Sequence, residues 1–353
     1  MGKPFISKSM LFLYMLLIFL VAFGLLFTLV LARDAKKRPV LPEVSPEESG
    51  EETSEEETEE DESGLSSVSD VPVVEFEPVT FTVTHSEPTF TAQELNADYG
   101  ALFDLDRKKL VIGNQVEDRI YPASLTKVMT VLIAIENVTD WEDTFTFRIQ
   151  DIDPLITAGA SRAGFYGGET VTIRDLLYGA ALPSGADATL GLALYVSGSE
   201  EEYVKLMNQK AAELGCTNTH FCNASGLHDD NHYTTMKDMA QIFAYGLQNP
   251  LFLDVLSAKT YTSTKTKYNP NGITMYSTTF SRLNAVEGPK NATVIAGKTG
   301  YTDEAKYCLI TYAVTKTNHS YILITAHGSS VNGKDGNYQP LYDLTYVYNT
   351  YTE

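Results

Sequence analysis

The feature that most constrains this chain is Met10–Ala32 (MLFLYMLLIFLVAFGLLFTLVLA), 23 consecutive residues without a charge. About 20 apolar residues suffice for a helix to cross the hydrocarbon core of a bilayer, whereas the apolar core of a cleaved signal peptide usually has roughly 7–15. The run, residues 10–32, is therefore expected to be an uncleaved signal-anchor. Lys3 and Lys8 precede it, and Arg33, Lys36, Lys37 and Arg38 follow it. Positive charge on both flanks leaves orientation undecided by charge alone.

Charge is segregated just as sharply. Glu43–Asp70 holds 13 acidic residues and no basic one. With almost nothing apolar to bury, it cannot repay the entropy of ordering and is expected to be an extended, disordered tether. It accounts for much of the formal net charge of −20; Val71–Glu353 carries 32 acidic and 20 basic residues. That balance argues against nucleic acid as a partner, which calls for a basic footprint. The three cysteines, Cys216, Cys222 and Cys308, form no Cys-x-x-Cys. They read as small buried thiols rather than a zinc site or disulfide framework, with a Cys216–Cys222 bridge left open.

Val71–Thr91 alternates β-branched and aromatic residues but is interrupted by Pro72, Pro78 and Pro88. It reads as an edge or approach segment, so residues 33–92 are taken as linker and approach, and 93–353 as the folded domain. Tyr99–Ile112 reads as two strands around an Asp-Arg-Lys-Lys turn. Ser124–Val138 is apolar on most sides and reads as a buried helix. Thr170–Ala181, Ala188–Val196, Glu200–Leu214 and Thr234–Leu247 read as further helices, with Gly215 capping the third. Three strand-like runs follow Val294, and Tyr338–Tyr351 reads as a last helix. Strands at both ends with helices between predict an α+β domain: an antiparallel sheet flanked by helices, plus a helical subdomain.

Three elements suit acyl-transfer chemistry. Ser124-Leu-Thr-Lys127 places a hydroxyl and an amine on one helical face. A lysine whose surroundings disfavour its ammonium form can take the serine proton. Ser184-Gly-Ala-Asp187 offers either a hydroxyl for proton relay or the N-cap of a helix. Lys298-Thr299-Gly300, continuing into Tyr301 and Thr302, offers a cation, hydroxyls and a close backbone approach. It suits an extended peptide ending in a carboxylate, or simply a glycine-flanked turn.

The order of these elements resembles the penicillin-binding protein and serine β-lactamase superfamily. Several segments sharpen the resemblance to the D-alanyl-D-alanine carboxypeptidases of the S11 peptidase type: Tyr121–Thr130 (YPASLTKVMT), Gly168–Tyr178 (GETVTIRDLLY), Leu182–Gly185, Leu206–Lys210, Asn218–Phe221, Gly226-Leu227, Asn231–Tyr233 and Ala296–Ala305 (AGKTGYTDEA). The resemblance implies a β-lactamase/transpeptidase-like fold with no cofactor and no metal. The implied partners are a peptidoglycan stem peptide ending in D-Ala-D-Ala, β-lactams as inhibitors, and the membrane through the N-terminal helix. It further implies Ser124 as acylated nucleophile, Lys127 as general base, and Ser184 assisting proton transfer. Lys298 would bind the terminal carboxylate, within a substrate site that includes Thr299, Gly300, Tyr301 and Thr302. The backbone N–H groups of Ser124 and Tyr301 would form the oxyanion hole.

The chain departs from the pattern in three ways. Ala186 stands where the family's Ser-x-Asn has its amide, which leaves two expectations: compensation by Asp187 or a water, or low activity. Only 53 residues follow Gly300, leaving no room for the family's C-terminal β-rich domain. The N-terminal apolar run is expected to take over the anchoring that the family usually assigns to a C-terminal membrane helix. Two other functions compete: a wall-binding module weakened by loss of the Asn, and a β-lactamase-like hydrolase. Against the second, no Glu-x-x-Leu-Asn follows the middle motif.

Overall fold

The computed structural model describes residues 76–330 and 335–353. The membrane span expected at 10–32 and the acidic tether at 43–70 lie outside the described residues. Among the described residues no helix is long and apolar enough to cross a membrane.

The elements in chain order are β1 (Ala97–Asp104), β2 (Lys109–Asn114), α1 (Thr126–Asn137), β3 (Thr144–Thr146), α2 (Ile149–Thr157), β4 (Thr170–Thr172), α3 (Ile173–Ala181), α4 (Ala186–Ser197), α5 (Glu200–Glu213), α6 (Met236–Gly246), α7 (Pro250–Ser257), β5 (Thr260–Thr262), β6 (Thr274–Tyr276), α8 (Thr278–Leu283), β7 (Ala292–Thr302), β8 (Lys306–Thr315), β9 (Ser320–Gly328) and α9 (Gln339–Tyr351). The five-stranded sheet runs β2-β1-β9-β8-β7. Its pairings are antiparallel throughout, and β7 is an edge. The α+β expectation holds, with strands drawn from both ends of the chain and most helices from its middle.

Strand alternation splits the core into two layers. Ala101, Phe103, Ile310, Ile322 and Ile324 face the helical body. Leu102, Leu309, Ala313, Tyr321 and Leu323 face α9, which contributes Leu341, Leu344, Val347 and Tyr348. The first nine residues of α1 are all buried, so this helix is the centre of the helical body, as its all-round apolar sequence predicts.

The approach segment is packed onto the domain. Val79, Phe81 and Phe90 are buried, and Thr82 bridges Lys109; the folded body thus begins upstream of Gln93. Thr170–Thr172, read as the start of a helix, pairs with β3 instead. The helix begins at Ile173 because Thr172 caps it: the Thr172 hydroxyl accepts from the Asp175 amide while the Asp175 carboxylate accepts from the Thr172 amide. This reciprocal box outweighs the helical tendency upstream. The cysteines are free thiols, with Cys216 and Cys308 buried.

Candidate active site

Ser124 sits in a 3-10 turn, Ala123–Leu125, leading directly into α1. The turn is held at a strained angle: Ala123 has φ +46, in a region that side chains avoid. Two contacts fix it. The Thr126 hydroxyl donates to the Ala123 carbonyl at 2.8 Å. His232 Nε2 lies 2.7 Å from the same hydroxyl, while His232 Nδ1 accepts from the Cys222 amide. Since Nδ1 is an acceptor, the ring proton is on Nε2, which donates to Thr126. Burial lowers the His232 pKa to about 4, so the ring is neutral.

Lys127, one turn into the helix, is buried. Its Nζ lies 3.0 Å from Ser124 Oγ and donates to the Ser225 carbonyl. Burial lowers its pKa to about 7, with the Asp187 charge pulling the other way. An amine this easily deprotonated, in contact with a hydroxyl, has the properties of a general base.

Ser184 precedes α4 and does not cap it; Gly185 is the N-cap residue. Ser184 has φ +65, and its hydroxyl accepts from Lys298 Nζ at 2.8 Å. Lys298 is buried and also donates to the Thr299 carbonyl. Burial, then the neighbouring Lys127 and Arg282, pushes its ammonium well below the usual lysine value.

These groups meet at one cavity of about 480 Å³, lined by Ser124, Lys127, Ser184, Thr299, Gly300, Tyr301 and Thr302 among others. Seven of the eight residues singled out in the sequence thus line it. Lys298 does not: it stands behind the wall and acts on the cavity through Ser184. Among the described residues the cavity is also lined by the guanidinium of Arg282 of α8, half-buried, with its pKa lowered by desolvation. A single arginine in TTFSRL gives no sequence signal, so its place in the cavity lining emerges only from the fold. Thr278 and Thr299 share a hydroxyl hydrogen bond beside it.

Two glycines permit the close approaches. A Cβ on Gly300 would stand 3.0 Å from the Ser124 amide nitrogen. Gly226 has φ +79, and a Cβ there would lie 1.9 Å from the Ala123 carbonyl oxygen.

Ala186 lines the cavity, and its amide donates to the Ser161 carbonyl. The expected compensation by Asp187 is absent. Its carboxylate accepts from the amides of Ala163, Gly164, Phe165 and Ala188, which anchors the chain behind the cavity wall instead.

Comparison with known proteins agrees with this geometry. The sequence model of the S11 peptidases, described as D-alanyl-D-alanine carboxypeptidase, matches residues 83–329. The D-alanyl-D-alanine carboxypeptidase DacF of Bacillus subtilis is 33% identical over 71% of this chain and 62% of its own length. DacA of Haemophilus influenzae is 29% identical over 72% of this chain and 63% of its own. The chain thus spans less than two thirds of the length of these two relatives. The crystal structure of the Streptomyces K15 DD-transpeptidase superposes with a TM-score of 0.63 at 28% identity, over 72% of this chain and 97% of that one. The D-alanyl-D-alanine carboxypeptidase from Mycobacterium tuberculosis gives 0.61 at 25% identity, over 78% and 95%. A family match across most of the domain, together with a serine and a lysine in hydrogen-bond contact at the expected motif, places this chain in the D-alanyl-D-alanine carboxypeptidase family of S11 peptidases.

Proposed function

We propose that this chain is a membrane-anchored serine D-alanyl-D-alanine carboxypeptidase that removes the terminal D-alanine from peptidoglycan stem peptides, with consequences for wall cross-linking and cell shape. The observation that carries the reading is the contact between Lys127 Nζ and Ser124 Oγ at 3.0 Å, with Lys127 poised to lose its proton near pH 7.

Neutral Lys127 takes the Ser124 proton as Oγ attacks the carbonyl of the penultimate D-alanine. The oxyanion is met by the backbone N–H groups of Ser124 and Tyr301. The Ser184 hydroxyl, polarised by Lys298, passes its proton to the departing amine and is reprotonated by the Lys127 ammonium across the cavity, so the C–N bond breaks, D-alanine leaves and Lys127 returns to its neutral form. Water then attacks the Ser124 ester, giving up its proton to Lys127, which returns it to Ser124 Oγ as the ester bond breaks and the shortened peptide is released. The terminal carboxylate docks against Arg282 and the Thr278 and Thr299 hydroxyls, with Lys298 behind the wall holding Ser184 in place. A β-lactam, whose strained amide mimics the scissile bond, acylates the same serine.

Fluorescent penicillin is expected to label the wild type and not Ser124→Ala, and the wild type is expected to release D-alanine from a D-Ala-D-Ala peptide. An unlabelled wild type that releases none would overturn the reading. Ala186 favours one second reading, a wall-binding module with slow turnover; labelling without D-alanine release would support that instead.

The anchor is residues 10–32, with the catalytic domain outside the cytoplasm, where its substrate lies.

A further inference from the structure

The β5–β6 ribbon is a basic island in an acidic chain. Residues 259–286 hold Lys259, Lys265, Lys267 and Arg282 and no acidic residue, while the chain as a whole has a formal net charge of −20. The ribbon leads directly to the catalytic cavity: β6 ends at Tyr276, and Thr278 and Arg282 line that cavity. Its tip is tied to the cavity by a second route. The Tyr268 ring stacks on Tyr166, with centroids 5.8 Å apart, and the segment before Tyr166 lines the cavity through Gly159, Ala160 and Ser161.

Two buried carboxylates hold the ribbon in place and keep their charge inside. Asp175 accepts from the Tyr261 hydroxyl and from the amide and hydroxyl of Thr264. Glu169 accepts from the Thr266 hydroxyl and the Asn269 side-chain amide. Strand alternation then sorts the faces. Met275 is buried, and Tyr261 stacks on Tyr178 at 4.1 Å. Thr260, Thr262, Thr274 and Tyr276 are exposed, with Thr260 opposite Tyr276 and Thr262 opposite Thr274. Lys259 at the base of the ribbon and Lys265 and Lys267 near its tip are exposed as well. Among the described residues none of these three lysines lies within ion-pair distance of a carboxylate, whereas Lys205, Lys237 and Lys290 each do.

This placement has an electrostatic consequence. A polymer that carries a carboxylate on every uncut stem peptide is repelled by a chain of net negative charge. A cationic strip joined to the cavity reverses that repulsion locally, and the hydroxyls beside it offer hydrogen bonds to peptide groups.

We infer that the outer face of the β5–β6 ribbon, with Lys259, Lys265 and Lys267, docks the substrate polymer through the carboxylates of stem peptides neighbouring the one being cut. The inference rests on the D,D-carboxypeptidase reading for the identity of the polymer. Ten residues separate Thr278 from Tyr268, so at about 3.3 Å per residue the tip lies within roughly 33 Å of the cavity wall. The ribbon thus meets the polymer beside the reacting peptide and leaves the reacting atoms alone.

The test compares two substrates of the full chain in detergent: a soluble peptide ending in D-Ala-D-Ala, and uncross-linked peptidoglycan strands bearing the same peptide. Lys265→Glu combined with Lys267→Glu is expected to raise KM for the strands about tenfold, two exposed charge contacts at several-fold each. It is expected to leave kcat, and both constants on the soluble peptide, unchanged. Lys265→Arg combined with Lys267→Arg keeps the charge and is expected to keep the wild-type strand KM. Added salt is expected to raise the wild-type strand KM toward that of the Glu variant. An unchanged strand KM in the Glu variant, or an equal loss on both substrates, overturns the docking surface while D-alanine release stands. Binding of the full chain carrying Ser124→Ala to immobilised strands is measured separately. Loss of that binding in the Glu variant upholds the surface even if the wild type releases no D-alanine, a result that sinks the carboxypeptidase reading alone. The same loss on strands stripped of their stem peptides shows that the ribbon reads the sugar, and overturns the assignment to carboxylates.

Discussion

Lys127 is surrounded by groups that disfavour its charge, and this has two measurable consequences. Its pKa falls from 10.5 to about 7 through burial. The neutral form is the base, so the rate of Ser124 acylation by a fluorescent penicillin is expected to rise with pH through about 7 and level off above it. The stability effect has the same sign. Between about 7 and 10.5 the unfolded chain binds more protons than the folded one, so stability rises with pH across that window. Lys127→Met is expected to slow acylation by about 10²–10⁴-fold while flattening this pH dependence of the thermal midpoint. Ala186 is the other residue with a defined test. It lines the cavity beside Ser184 and Lys127, and Asp187 is occupied by four backbone amides. Ala186→Asn is therefore expected to raise D-alanine release by about tenfold or more, since one positioning hydrogen bond is worth roughly 10²–10³ when lost. An unchanged rate would show that the amide is not limiting. The serine, the two lysines and the residues after Lys298 were legible in the sequence because their spacing is fixed locally. Arg282 was not, because nothing local distinguishes it from a solvent-facing arginine.

At the scale of elements, the site depends on a short turn pressed between β7 and the 222–233 loop. Gly226 lets that loop reach the turn, and the same loop supplies the Ser225 carbonyl to Lys127 and His232 to Thr126. Gly226→Ala brings both an unfavourable φ and a collision with the Ala123 carbonyl. It is expected to destabilise the domain by about 1–3 kcal/mol, read from urea midpoints, and to slow penicillin acylation as the turn shifts. The long elements were legible: α1 from its unbroken apolar run, β8 and β9 from β-branched and aromatic residues, and α5 from its ending at Gly215. The short ones were not. α2 and α7 each span fewer than ten residues, too few for a helical period to stand out. The β3–β4 pair exists because its strands meet across an intervening helix rather than through a local turn signal.

For the whole molecule, the proposed topology puts residues 1–9 inside and the domain outside. Protease added to intact spheroplasts is expected to remove the folded domain; a fully protected domain would contradict that orientation. At this scale the expectation rests on composition, because the apolar run and the acidic block are properties of the chain and need no fold. Local pattern reached the α+β class, because alternation and helical spacing decide which face of each element is apolar. Tertiary structure alone decided the chemistry of the site. Ser184 and Lys298 are 114 residues apart in sequence, and only packing puts Lys298 behind the wall, Arg282 on the cavity surface and Asp187 beneath its neighbouring strand of chain. The same is true of the pKa of Lys127, since desolvation is set by groups that distant segments bring around a side chain rather than by its own neighbours in sequence.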